Sequence, residues 1–142
     1  MTNQQSFHKP KAMKLPFSAT LANVDKTTRK IEQFLSNAGI KDPTQSFDIV
    51  LGMREALNNA VTHGSGKDLN KTVCLTLRME NGVLIMEVED EGDGFDWKNY
   101  MEKGLPSREE SGRGLAIMKR FFTSMRYNQK GNKLVVKKRF QT

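Results

Sequence analysis

The chain has 142 residues, of which 37% are hydrophobic and 27% charged, the size and balance of one soluble globular domain able to bury a core. A single cysteine, Cys74, excludes an intrachain disulfide and a cysteine-built metal site, and fits a reducing compartment. The formal net charge is +7. It is uneven: from Lys119 to Thr142 there are eight Lys or Arg and no Asp or Glu, which fits either a solvated basic face or a surface for an anionic partner.

Residues 1–12 read as a flexible polar N-terminal arm. The stretch lacks the apolar core of a signal peptide, and no run approaches the ~18 apolar residues of a membrane span, so a cytoplasmic location is expected. "MKLPFSAT" (13–20) predicts a short first strand, which Pro16 confines to an edge. A helix is predicted over about 23–38, capped by Asn23, turning Val24, Ile31, Phe34 and Leu35 to the core and ended by Gly39. A second is predicted over about 46–63, with Gly64 as its stop and "GSGKDLN" (64–70) as a loop.

"TVCLTLRMENGVLIMEVED" predicts a hairpin with Asn81-Gly82 as its turn, the pair that type I′ turns favour. Counting outward pairs Met79 with Leu84, Leu77 with Met86, Leu75 with Val88 and Val73 with Asp90. Three apolar pairs on one face specify the register. The fourth puts Asp90 on that same inward face, where a carboxylate is unfavourable without a hydrogen-bonding partner. Residues 96–111 show neither period, as a lid or binding loop would. "GRGLAIMKRFF" then reads as a glycine-rich turn entering a helix, and "MRYNQ" with "NKLVVKKRF" as a closing strand pair. The order predicts an α+β two-layer sandwich, one mixed sheet with helices on one face.

Three motifs carry possible chemistry. In "REALNNAVTHG", Ile49, Met53, Ala56, Leu57 and Ala60 cluster on one side of the second helix. Glu55 and Asn59 lie together on another side, one turn apart. A carboxylate and an amide so placed can hold a hydrated Mg²⁺ and orient a hydroxyl; a polar solvent face would look the same. "DEGDGF" (90–95) is not a calcium loop, because counting from Glu89 puts Tyr100 at the twelfth position, where a bidentate Glu is needed. It reads either as an ordinary glycine-rich turn or as an inward Asp90 able to accept from an exocyclic amine, with Gly92 and Gly94 allowing close approach. In "SGRGLAIM" (111–118), Gly112 and Gly114 would free backbone N–H groups for phosphate at a helix start, with Arg113 adding charge; a plain flexible helix start fits as well. Neither a P-loop nor a dinucleotide fingerprint is present.

The order and spacing of the three motifs resemble the ATP-binding (Bergerat) fold of the GHKL superfamily, whose members include gyrase, MutL, heat-shock chaperones and histidine kinases. "EALNNAVTHG" is similar to its N box, "DEGDGF" to its G1 box and "SGRGLAIM" to its G2 box, and the likeness covers about Met13 to Phe140, making 13–142 the expected domain. The short "EESGRGL" lid and compact length look most like the RsbW-type anti-sigma factor serine/threonine kinases of bacteria. The resemblance implies Glu55 as general base, Asn59 as Mg²⁺ ligand and Asp90 as acceptor from the adenine amino group. It implies Gly92 and Gly94 in the adenine pocket, and Gly112, Arg113 and Gly114 at the lid hinge and phosphate turn. Asn58 receives no role. Where the family often has Gly-Thr before its last strand, this chain has "KGNKLVV", with Asn132 in the threonine's place. His63 is expected to help end the helix.

By that resemblance the expected function is ATP- and Mg²⁺-dependent phosphorylation of an anti-sigma antagonist protein, with sequestration of a sigma factor, by a homodimer. The alternative is a non-catalytic ATP-binding module that docks a signalling partner. A separated histidine kinase domain fits less well, since His8 and His63 lie outside any acceptor-helix context. A nucleic-acid reader ranks last, since no aromatic residues interleave the basic ones.

Overall fold

The computed structural model describes residues 11–103 and 109–140; residues 1–10 of the expected arm lie outside them. Strand β1 spans Lys11–Ser18 and takes in the last two residues of that expected arm. It is the edge strand of a five-stranded sheet of order β1-β2-β3-β5-β4, the position that Pro16 requires. Helix α1 follows at Leu21–Asn37. Its cap is Thr20 rather than Asn23: the Thr20 hydroxyl accepts from the Asn23 N–H at 3.1 Å, and the Asn23 amide donates to the Ser18 carbonyl. Val24, Ile31, Phe34 and Leu35 are buried as their spacing predicts.

Helix α2 spans Pro43–Asn59, three residues longer at its start than its pattern suggests. Asp42 caps it by accepting from the Thr44 N–H, and Pro43 occupies the first turn, where its missing N–H is harmless. At its end the helix widens into one π turn, Ala60–Gly64. Such turns often mark functional sites. Ile49, Met53, Ala56, Leu57 and Ala60 all enter the core.

Strands β2 (Thr72–Glu80) and β3 (Val83–Asp90) form the hairpin with the predicted register, including Val73 opposite Asp90. Asn81 and Gly82 both have positive φ, as a type I′ turn demands. Helices α3 (Trp97–Lys103) and α4 (Glu109–Phe121) precede a second hairpin, β4 (Ser124–Tyr127) and β5 (Lys133–Arg139).

Every pairing in the sheet is antiparallel, so the expectation of a mixed sheet is corrected. The reason is an insertion. Strands β3 and β4 run the same way, as a helical crossover allows, but β5 hydrogen-bonds between them and keeps them from pairing in parallel. Val73, Leu75, Leu77, Leu84, Met86, Val88, Leu134 and Val136 cover one face of the sheet and pack with the helices in a single core. Among the described residues no helix is long and apolar enough to cross a membrane.

Candidate active site

Helix geometry sets Glu55 and Asn59 one turn apart. Both are buried, 9% and 5% exposed, so the solvent-face alternative fails. Asn59 donates through Nδ2 to Glu55 Oε2 at 3.3 Å, and the Tyr100 hydroxyl donates to the same oxygen at 2.8 Å. Burial, reinforced by the Glu55 charge, lifts the Tyr100 hydroxyl far above the ordinary phenol range. Tyr127 is raised in the same way, by burial first and the Glu55 charge second. Both phenols therefore stay protonated, and Tyr100 remains a donor. The Glu55 carboxylate is thus held on one side by two groups from different parts of the chain.

Asp90 ends β3 on the inward face, 6% exposed. Burial pushes its carboxyl above the usual range, opposed by the Gly92 N–H, which donates to Oδ1 at 2.7 Å, and by the charges of Lys130 and Lys71; Glu89 adds to the rise. The glycines of this region meet the chain itself. A Cβ on Gly92 would stand 1.7 Å from the Gly64 carbonyl oxygen, and one on Gly94, which has φ +90°, 1.7 Å from that of Lys130. Gly64 in turn lies directly against the Asp90 carboxylate. The close approach expected for a flat ligand is made here between backbone segments that frame Asp90. Asn132 pairs with the Asp90 backbone: its Nδ2 donates to the Asp90 carbonyl at 3.1 Å, and the Asp90 N–H donates to the Asn132 carbonyl at 2.9 Å.

Between the two polar ends runs a cleft. Ala56 and Ala60 of α2 form one wall, Val88 and Leu134 of the sheet the other, with Asn59 and Asp90 at its margins. An apolar slot with a carboxylate at its end suits a flat ring bearing an amino group. The free space is about 10 Å³, room for about one water. Aromatic rings close it. Phe95 packs on Tyr100 at 5.7 Å and edge-on to Tyr127 at 5.5 Å, Trp97 stacks on Tyr127 at 5.7 Å, and His63 stacks on Phe95 at 6.3 Å. A purine would have to displace Phe95 or Tyr127, the aromatic residues that line it.

Helix α4 begins at Glu109, ahead of the Gly-Arg-Gly rather than after it. Gly112, Arg113 and Gly114 are therefore helical, and the expected glycine turn before the helix is corrected. Gly114 packs on α2 so tightly that a Cβ there would lie 2.7 Å from Glu55 Cβ. The expected lid is partly ordered into α3; residues 104–108 lie outside the described ones.

The structure thus brings Asn59 and Asp90 to one cleft, with Gly92 against Asp90; Glu55 is tied to that cleft through its hydrogen bond with Asn59, and Gly114 packs on Glu55, while Gly94 packs on Lys130. It adds Tyr100, Tyr127, Phe95 and Gly64, which sequence reasoning passed over. The signal for Tyr100 was faint: three aromatic residues, Phe95, Trp97 and Tyr100, crowd a stretch with no period. Tyr127 looked like any strand aromatic.

A two-layer sandwich holding a buried Glu-Asn pair opposite an inward Asp defines a nucleotide-site domain of the ATPase class. A profile for the histidine kinase-like ATPase domain matches residues 17–138, and the chain belongs to that family. An anti-sigma F factor of Clostridium perfringens is 30% identical over 139 residues, covering 92% of this chain and 97% of that protein. One from Geobacillus stearothermophilus is 31% identical over 127 residues, 85% of each chain. Among solved structures, the histidine kinase domain of the blue-light activated histidine kinase from Erythrobacter litoralis EL346 matches with a TM-score of 0.53 at 19% identity over 84% of this chain. This chain spans 59% of that one, and the likeness is one of fold.

Proposed function

We propose that this chain is a cytoplasmic ATP- and Mg²⁺-dependent serine/threonine protein kinase of the anti-sigma factor type, which phosphorylates an antagonist protein and sequesters a sigma factor, acting as a homodimer. The observation that carries the reading is the buried Glu55 carboxylate, held at Oε2 by Tyr100 and Asn59 beside a cleft ending at Asp90. The names of the anti-sigma F relatives support the regulatory part.

In this reading Asp90 accepts from the adenine amino group, and the alanine, valine and leucine walls take the ring. Gly112, Arg113 and Gly114 lie nearest the phosphates. Among the described residues no group of three or more His, Cys, Asp or Glu could hold a metal. A single Asn59 still fits Mg²⁺, which keeps waters and uses phosphate oxygens for most of its shell; the Asn59 amide nitrogen is engaged by Glu55, and its carbonyl oxygen is the group a cation would take. Bound Mg²⁺ supplies charge neutralisation during phosphoryl transfer. Glu55, positioned by the Tyr100 and Asn59 donors, takes the proton of the acceptor hydroxyl.

The test is phosphoryl transfer from γ-labelled ATP in extract of the source organism, wild type beside Glu55→Ala. A labelled small protein that appears with wild type and falls about 10²–10⁴-fold with the variant supports the general base. Nucleotide binding without Glu55-dependent label would overturn the kinase reading in favour of a docking module.

A further inference from the structure

A second cavity, about 530 Å³, lies on the other side of Glu55, in the groove between α2 and α4. Leu51, Arg54, Glu55 and Asn58 form its α2 side, and Gly114, Ala116, Ile117 and Arg120 face them from α4. The four α2 positions share one helical face, whereas Ala56, Asn59 and Ala60 share another that faces the cleft. Glu55 stands on the border: its side chain lines the groove while its partner Asn59 lines the cleft. The groove has the volume of a ligand site, and Asn58, which the motif comparison left without a role, is one of its walls.

Its charge is asymmetric. Arg54 is fixed at the rim, donating to Asp25 Oδ1 at 2.5 Å and to the Thr28 hydroxyl at 3.0 Å, and it holds the Asp25 carboxyl below its ordinary range. Arg120 is exposed, and no carboxylate of the described residues lies within ion-pair distance of it. Among the described lining residues the single carboxylate is Glu55 itself. Leu51 and Ile117 supply an apolar floor.

We propose that this groove receives the phosphoryl acceptor: a serine- or threonine-bearing segment of a partner protein, flanked by acidic residues that pair with Arg120 at the rim while the hydroxyl meets Glu55. This rests on the kinase reading for the chemistry, though not for the docking. Gly114, assigned to the phosphates in the kinase reading, lines the same groove, so the acceptor hydroxyl and the γ-phosphate would meet beside Glu55. In the transfer the hydroxyl oxygen bonds to the γ-phosphorus, its proton goes to Glu55, and the bond from that phosphorus to the bridging oxygen breaks, its electron pair leaving on ADP. Charge complementarity of this kind selects the partner and steers its approach.

The test uses the full chain with three fluorescent serine peptides of equal length, flanked by Asp and Glu, by neutral residues, or by Lys. Anisotropy measures their binding, and γ-labelled ATP with Mg²⁺ measures transfer. Binding of the acidic peptide is expected to exceed that of the other two. Arg120→Glu should weaken it about tenfold, the equivalent of about 1.4 kcal/mol, and raise affinity for the Lys-flanked peptide, with an unchanged melting temperature showing an intact fold. No measurable binding of the acidic peptide at millimolar concentration, equal binding of all three, or indifference to Arg120→Glu would overturn the docking proposal. Charge-selective binding without label would leave the groove standing and count against the kinase reading. Label transferred irrespective of peptide charge and of Arg120 would do the reverse.

Discussion

Burial holds the Asp90 carboxyl above the usual carboxylate range, with one backbone N–H and two lysine charges opposing it. A raised native value means that the folded state binds this proton more tightly than the unfolded chain. The resulting stabilisation is complete below the ordinary value near 3.9 and is lost as pH rises through the raised native value. At neutral pH the ionised group therefore works against the fold. Asp90→Asn keeps an acceptor for the Gly92 N–H and removes the charge. It is expected to melt at a higher temperature than wild type at pH 7, with the gap closing on acidification toward about pH 4; calorimetry across that range measures it. The same variant should lose about tenfold or more in ATP affinity, since a hydrogen bond to a charged acceptor is worth ~1.5–3 kcal/mol, and titration calorimetry reads that. The inward position of Asp90 was legible, because the hairpin register follows from three apolar pairs and a turn. The tyrosine on Glu55 was not. Tyr100 lies on a seven-residue helix, Trp97–Lys103, too short to declare a period, and its partner is 45 positions away.

Helix α4 reaches α2 through its glycine. With a Cβ at 2.7 Å from Glu55 Cβ and 2.8 Å from Oε1, Gly114→Ala must move either the helix or the carboxylate. Alanine gains ~1 kcal/mol of helix propensity over glycine, while overpacking costs ~1–3 kcal/mol. A net loss of about 1 kcal/mol follows, read by urea denaturation. Phosphoryl transfer should fall more than tenfold at a temperature where the variant is still folded, because Glu55 is displaced. Elements with long periods were legible here: the stripes of α1 and α2 are buried as their spacing predicts. Their starts were less so. Thr20 and Asp42 each cap a turn earlier than the first apolar position suggests, and both are among the residue types that caps prefer. The start of α4 escaped entirely, since glycines at 112 and 114 signal a turn in isolation and are tolerated inside a helix where a neighbour presses close.

For the molecule as a whole, the closed cleft has a consequence for ligand binding. Phe95 and Tyr127 line a cleft too small for a purine, so nucleotide binding must rearrange the aromatic cluster they form with Trp97 and Tyr100. Trp97, the single tryptophan, stacks on Tyr127 and donates to the Gln129 carbonyl. Its fluorescence should change on addition of ATP and Mg²⁺ and saturate with the binding isotherm. The same nucleotide range added to Asp90→Asn should leave it unmoved; an unchanged wild-type signal at saturating nucleotide would show that the cluster stays in place. What the sequence determined by itself is the local part: the two amphipathic helices, the β2–β3 register, the edge position of β1 and the inward Asp90. Each follows from periodicity or turn chemistry within about twenty residues. Only the tertiary structure decided that β5 inserts between β3 and β4 and makes the sheet antiparallel. It alone decided that Tyr100 and Asn59 share one oxygen of Glu55, and that one face of α2 serves the cleft while the next serves the groove. Those features arise where segments far apart in the chain meet, and no local period encodes which segment will arrive.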